Sequence, residues 1–184
     1  MQPQDESMDY VSFYQSPAGD MMMASSGSAL SGLWFSGQKY FAETLHADHK
    51  ERQLPVFDET KRWLDTYFSG REPDFTPPLD MRATAFRRAV WEILLTVPYG
   101  RTATYGEIAK KVTGSTGTGR MAARAVGGAV GHNAILLIIP CHRVIGSDGN
   151  LTGYAGGIER KIRLLEMEQV HFRADGSSGF IKGR

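Results

Sequence analysis

Apolar residues change their period along this chain, and each change predicts a different kind of element. Between Tyr10 and Ser36 the short β-prone runs YVSFY and MMMAS are set apart by the turn-forming segments SPAGD and SSGSA. That alternation predicts a small antiparallel sheet. Val56, Trp63, Leu64, Tyr67 and Phe68 then recur at helical spacing, and SGREPDFTPPLD after them has the proline content of a linker between lobes.

Beyond the linker the period stays helical. Phe86, Val90, Ile93, Leu94 and Val97 form an i, i+4, i+7, i+8 stripe with Thr84 as its cap, and Pro98-Tyr99-Gly100 ends it. Thr104-Tyr105-Gly106-Glu107 has capping-box spacing, in which the threonine oxygen and the glutamate satisfy each other's free amides. A second helix therefore begins here, with Tyr105 in its first turn. TGSTGTG connects it to RMAARAVGGAVG, a helix of mostly small residues. Glycine lowers helix propensity by about 1 kcal/mol relative to alanine, so Gly127-Gly128 needs a reason, either close approach to another surface or tight packing against a neighbouring helix. Ile135 to Ile139 is a short apolar run that predicts a buried strand ending at Pro140, and SDGN at 147–150 predicts a turn. Ile158, Ile162 and Leu165 share one stripe of a last helix that starts near Gly157.

The expected fold class is α/β. A small N-terminal lobe of antiparallel sheet plus helix spans 10–80. A mostly helical C-terminal domain spans 81–173, with a helix-turn-helix of winged-helix-like kind and a short strand leading to Cys141. Residues 1–9 and 174–184 are polar or Gly/Ser-rich and are expected to be a disordered start or tag and a flexible tail.

Composition narrows the class. At 184 residues and 41% hydrophobic, the chain can bury a core in one body or two lobes. No run approaches the roughly 18 apolar residues of a membrane helix, and MQPQDESMDY lacks the basic-then-apolar pattern of a secretory signal. A soluble, cytoplasmic monomer without membrane contact is expected. A single cysteine excludes an internal disulfide and a Cys-rich zinc site. His46 and His49 lie close, but no Cys or HExxH pattern completes a metal site, so that pair is expected on a solvated face, and no metal or cofactor is expected. The net charge of +1 conceals an asymmetry: residues 1–60 carry three basic and nine acidic side chains, residues 82–131 eight basic and two acidic. A basic half suits a polyanion, although ordinary surface solubility accounts for it equally well.

The candidate chemistry lies at Pro140-Cys141-His142-Arg143. A thiol of pKa about 8.5 is mostly protonated at neutral pH, and a nearby imidazole can take its proton and make it a nucleophile. Adjacent residues of an extended strand point to opposite sides, so His142 can serve Cys141 only where the chain bends. On the dipeptide alone an inert structural cysteine stays open. On the last helix, Glu168 falls between Leu164 and Leu165 inside the apolar arc, and a carboxylate facing a core needs a partner. Cys141, His142 and Glu168 would follow the logic of nucleophile, base and orienting acid, unless the glutamate turns to solvent at the helix end.

From Met121 to Glu168, and above all in AARAVGGAVGHN, IPCHRVIG and LTGYAGG, the chain closely resembles the O6-alkylguanine-DNA alkyltransferases, also called methylated-DNA–protein-cysteine methyltransferases. The likeness covers residues 84–170; residues 10–80 match in layout only. It implies single-turnover DNA repair, in which the methyl or alkyl group of O6-alkylguanine or O4-alkylthymine passes to Cys141. His142 would be the base acting through water, Glu168 would polarise His142, Asn133 would brace the turn, and Tyr105 would donate to the departing guanine. The small-residue helix, with Ala122, Ala123, Ala125 and Gly127, would enter the minor groove of double-stranded DNA together with Thr104. Arg124 would fill the stack behind the flipped base. Tyr154, Val130 and the backbone near Ala155 would line the base pocket. A buried thiol cannot reach a stacked base, which fits extrusion of the nucleotide.

The chain departs from the family in two places, a longer segment through KKVTGSTGTG and Ala134 where a proline often follows the asparagine. Two rivals remain: a non-catalytic relative that binds and flags alkylated bases, against which Cys141 speaks, and a Cys-His hydrolase, for which no separate oxyanion-hole motif is present.

Overall fold

The computed structural model describes residues 8–114, 120–151 and 153–170. The expectations for residues 1–7 and 174–184, and for most of the TGSTGTG connection, lie outside the described residues. The chain divides into two compact units, one running to Arg82 and taking back Ala134–Leu136, the other holding Ala83–Asn133 and the chain from Leu137 onward.

The first unit is built on a four-stranded sheet of order β3-β2-β1-β4. β1 (Asp9–Ser16) and β2 (Gly19–Ser25) form an antiparallel hairpin with Ser12 opposite Met23. At its tip the Ser16 hydroxyl donates to the Gly19 carbonyl and accepts from the Ala18 amide. β3 (Leu30–Phe35) pairs antiparallel with β2. β2 is buried from Met21 to Ser25, and β3, at one end of the sheet, is buried from Leu30 to Phe35. Cover on both faces is why MMMA is a continuous apolar run rather than an alternating one. α1 (Pro55–Phe68) starts on a proline, whose missing amide is not needed in a first turn, and buries Val56, Phe57, Trp63, Leu64 and Tyr67.

One expectation is corrected in this unit. The ordered chain begins before Tyr10: Asp9 opens β1, is fully buried, and pairs bidentately with Arg82 through two 2.8 Å bonds. The sheet is completed by β4 (His49–Glu51), which runs parallel to β1 and is exposed at all three residues. His49 is exposed as expected, whereas the His46 amide donates to Asp9 at 2.8 Å.

In the second unit α2 (Ala85–Leu94) is capped by Thr84, whose side chain accepts from the Arg87 amide. Its buried face is Val90, Trp91 and Leu94, continued by Val97; Phe86, placed on the apolar stripe by spacing, is 38% exposed instead. The indole of Trp91 decides this, because its Nε1 reaches the Ala129 carbonyl at 2.9 Å. α3 (Tyr105–Thr113) begins with the full capping box of Thr104 and Glu107, as the spacing predicts. α4 (Arg120–Gly131) follows the undescribed connection. A two-residue parallel pairing of β5 (Ala103–Thr104) with β6 (Val144–Ile145) ties the start of α3 to the chain after the cysteine, and α5 (Ile158–Met167) closes the unit.

The predicted strand at Ile135–Ile139 is not formed. All five residues are buried, but only Ile135 makes a bridge, to Leu33, and the chain then turns. Leu137 adopts φ 71°, left-handed backbone that costs a residue bearing a Cβ roughly 1–2 kcal/mol and cannot continue a strand.

Candidate active site

The turn after the apolar run sets the position of Cys141. Asn133, buried two residues beyond α4, donates from Nδ2 to the Ile139 carbonyl at 2.8 Å and so closes the loop that contains Leu137. At Pro140 the chain bends again, with the Cys141 amide donating to the Ile139 carbonyl at 2.8 Å. Cys141, His142 and Arg143 then form one turn of 3₁₀ helix rather than the end of a strand. This bend removes the objection that neighbouring residues must face opposite ways.

Cys141 is 2% exposed and His142 fully buried. The imidazole Nε2 lies 2.6 Å from Oε1 of Glu168, the first residue past α5. A carboxylate can only accept, so His142 donates from Nε2, and Nδ1 is left as its basic nitrogen. The glutamate is held from three further directions: Arg143 donates from Nε to Oε2 at 2.9 Å and from Nη2 to Oε1 at 3.1 Å, and the Gly100 amide donates to Oε2 at 3.0 Å. Arg143 also donates from Nη1 to the Val97 carbonyl at 2.8 Å, fixing the turn after α2 to the same cluster.

Burial pushes the Cys141 thiol up to about 11, opposed by the Asn133 amide, the Lys161 ammonium and the backbone amides of Cys141 and His142. At rest, therefore, the sulfur keeps its proton. Burial likewise holds His142 below its ordinary value, against the pull of Glu168, so the imidazole is neutral and able to accept that proton. Glu168 stays ionised: the imidazole and guanidinium beside it outweigh its burial and hold it far below the usual carboxylate range. Tyr105 is raised to about 12, first by burial and then by the sulfur, so its hydroxyl remains a proton donor. It donates weakly to the Gly153 carbonyl at 3.4 Å. Tyr154 is raised by the same two causes. The arrangement can deprotonate a buried thiol, balance the resulting imidazolium of His142 with the Glu168 carboxylate, and present two phenols to whatever meets the sulfur.

Of the residues singled out in the sequence, Cys141, His142, Glu168 and Asn133 come together directly, with Tyr105 and Tyr154 within electrostatic reach. Ala155 is half-buried beside Tyr154, and Val130 is buried on the inner face of α4 with Val126 and Ala129. Thr104 is committed to the capping box. On α4, Arg124 and Ala125 are exposed, while Ala122, Ala123 and Gly127 are half-buried. A side chain added at Gly127 or Gly128 would meet nothing within 4 Å. Tight packing against a neighbouring helix is therefore not what the glycines serve.

Sequence reasoning missed Arg143 and Lys161. The first sits within the PCHR run itself. The second was hidden by a stripe drawn through Ile158 and Ile162, of which Ile158 is 40% exposed. The buried arc of α5 is Lys161, Leu164, Leu165 and Glu168, an i, i+3, i+4, i+7 set already visible in the spacing. Among the described residues no group of three or more His, Cys, Asp or Glu is placed to hold a metal ion, and no helix is long and apolar enough to cross a membrane.

Two family models match the chain: residues 10–81 match the ribonuclease-like domain of 6-O-methylguanine DNA methyltransferase, and residues 85–170 its DNA binding domain. The methylated-DNA–protein-cysteine methyltransferase of Mycobacterium tuberculosis strain H37Rv is 46% identical over 160 residues, covering 87% of this chain and 92% of its own. That of Haemophilus influenzae is 38% identical over 169 residues, covering 91% and 90%. The crystal structure of Mycobacterium tuberculosis OGT in complex with DNA superposes with a TM-score of 0.76 at 42% identity, covering 88% of this chain and 92% of that one.

Proposed function

This chain belongs to the methylated-DNA–protein-cysteine methyltransferase family and repairs DNA by transferring an alkyl group to a cysteine; we propose that the acceptor is Cys141 and that it is used once. The observation that carries this reading is that the only thiol of the chain stands in a bent turn beside a neutral, buried His142 backed by Glu168 at 2.6 Å. The substrate is O6-alkylguanine, with O4-alkylthymine as the second lesion. The thiol proton passes to His142, through a water molecule where the two do not touch. The sulfur attacks the alkyl carbon in line, the new S–C bond forms as the C–O6 bond breaks, and the electron pair stays on the base. Tyr105, kept protonated by its burial, donates to the leaving base and neutralises it. The thioether left behind is stable, so nothing regenerates the thiol. Asn133 holds the turn and donates toward the sulfur.

The lesion reaches the thiol by leaving the duplex, at an unstacking cost of a few kcal/mol. α3 and α4 act as a helix-turn-helix whose second helix lies in the minor groove. Ala122, Ala123, Ala125 and Gly127 allow close approach, Thr104 sits at the rim, and Arg124, exposed on α4, fills the gap left by the flipped base. Tyr154, Ala155 and Val130 line the pocket. The open space beside Gly127 and Gly128 supports this use of α4. The protein works as a cytoplasmic monomer with access to chromosomal DNA.

Duplex DNA carrying radiolabelled O6-methylguanine tests the assignment. One equivalent of label is expected on the protein and none on Cys141→Ala. Label on the Cys141→Ala protein, or more than one equivalent per chain, would refute it.

A further inference from the structure

Lys161 is the buried charge near the nucleophile that the reaction as described does not use. It is fully buried on the inner face of α5, two turns before Glu168, and its Nζ donates to the Val144 carbonyl at 2.5 Å. The Val144 amide in turn donates to the Cys141 carbonyl, so the lysine holds the residue that closes the nucleophile's turn. An ammonium taken out of water loses several kcal/mol of hydration. A single carbonyl could be satisfied by an uncharged donor. A cation placed here acts on its surroundings through its charge, and the group whose negative form that charge favours is the sulfur.

We propose that Lys161 is a positioning residue for the transfer, its buried ammonium stabilising the negative sulfur of Cys141 as the thiol gives up its proton. The proposal rests on alkyl transfer to Cys141. The other groups facing the sulfur are His142 from the same turn, backed by Arg143 and by Glu168 at the end of α5; Tyr105 from α3; Tyr154, itself near Arg160, from the loop before α5; and the uncharged amide of Asn133. The two tyrosines are neutral and the charge of Arg143 is absorbed by Glu168. Lys161 is the cation that opposes the burial of the thiol, and the sulfur in return sustains an ammonium that burial brings down to about 8; the same ammonium weighs against a proton on His142, which Glu168 favours. Below that pH the lysine is charged and its help is complete; as pH rises through it, the proton leaves and the help is withdrawn.

The test is the rate of label transfer from O6-methylguanine duplex DNA between about pH 6 and about pH 9.5 for wild type, Lys161→Gln and Lys161→Arg. Glutamine keeps a donor for the Val144 carbonyl and drops the charge, so it is expected to slow transfer about tenfold at pH 7, with the deficit shrinking above pH 8 as the wild-type lysine deprotonates. Arginine keeps its charge throughout, so its rate is not expected to bend near pH 8. A glutamine variant at wild-type rate, or a deficit constant across the range, would show a structural donor and overturn the proposal. Carboxamidomethylation of DNA-free protein by iodoacetamide reads the same thiol without any repair step, and the same shrinking deficit is expected. That pattern in a protein that takes no label from DNA would refute the repair assignment and leave the role of Lys161 standing.

Discussion

Glu168 shows how much one side chain carries at the scale of single residues. Its two oxygens accept from His142, twice from Arg143 and from the Gly100 amide, and both side-chain partners, the neutral imidazole and the cationic guanidinium, are buried. Glu168→Gln leaves the Arg143 guanidinium without a counter-charge, and a buried charge deprived of its partner destabilises a fold by about 3–5 kcal/mol. Urea unfolding at neutral pH is expected to show a loss of that order, and label transfer a slower rate, because an amide does not support a positive imidazole. Wild-type stability or a wild-type rate would refute it. The pH dependence has two parts. The folded value of Glu168 is depressed, so its contribution is present above its unfolded value and lost as pH falls through the folded one. The folded value of His142 is also depressed, but as a base it binds its proton on unfolding, so stability drops as pH falls below about 6.5. Acid unfolding is therefore expected to begin near the histidine range, ahead of the carboxylates.

At the scale of elements, α4 trades stability for a thin surface. Replacing both Gly127 and Gly128 by alanine meets no neighbouring atom within 4 Å and removes a penalty of up to about 1 kcal/mol at each site. The double variant is expected to unfold at higher urea and to bind duplex DNA more weakly; tighter binding would speak against α4 as the groove helix. The helices were legible because their signals are local: Thr84, the Thr104/Glu107 box and the spacing of Val90 and Leu94 act within a turn or two. The failures had separate causes. Phe86 lost the inner face to Trp91 because an indole finds the Ala129 carbonyl 38 residues away. Ile135–Ile139 has the composition of a strand, yet one strained residue, Leu137, and the Asn133 hydrogen bond make it a loop. β4 has no apolar pattern to read, since all three of its residues are exposed.

At the scale of the whole molecule, charge is divided along the chain. Arg88, Arg101, Lys110, Lys111 and Arg124 are all exposed in the second unit. If these five meet phosphates, counterion release makes duplex affinity fall several hundredfold over a roughly fourfold rise in salt. A fluorescence titration at two ionic strengths checks this, and a shallow dependence would mean that few of them reach the backbone. Within the site, residue type and spacing made Cys141, His142 and Glu168 candidates and the family resemblance gave them roles, whereas Arg143 and Lys161 gained meaning only from their partners. The excursion of Ala134–Leu136 bears on how the protein can be cut. Between Asn133 and Cys141 the chain lends three apolar residues to the first unit, where the Leu33 amide reaches the Ala134 carbonyl and the Leu136 amide the Leu33 carbonyl, at 2.8 and 2.9 Å. The boundary at Arg82 and Ala83 is thus not a seam. A fragment ended there lacks the outermost rung of its own sheet, and one begun there carries that rung as a bare, sticky edge a few residues from its nucleophile.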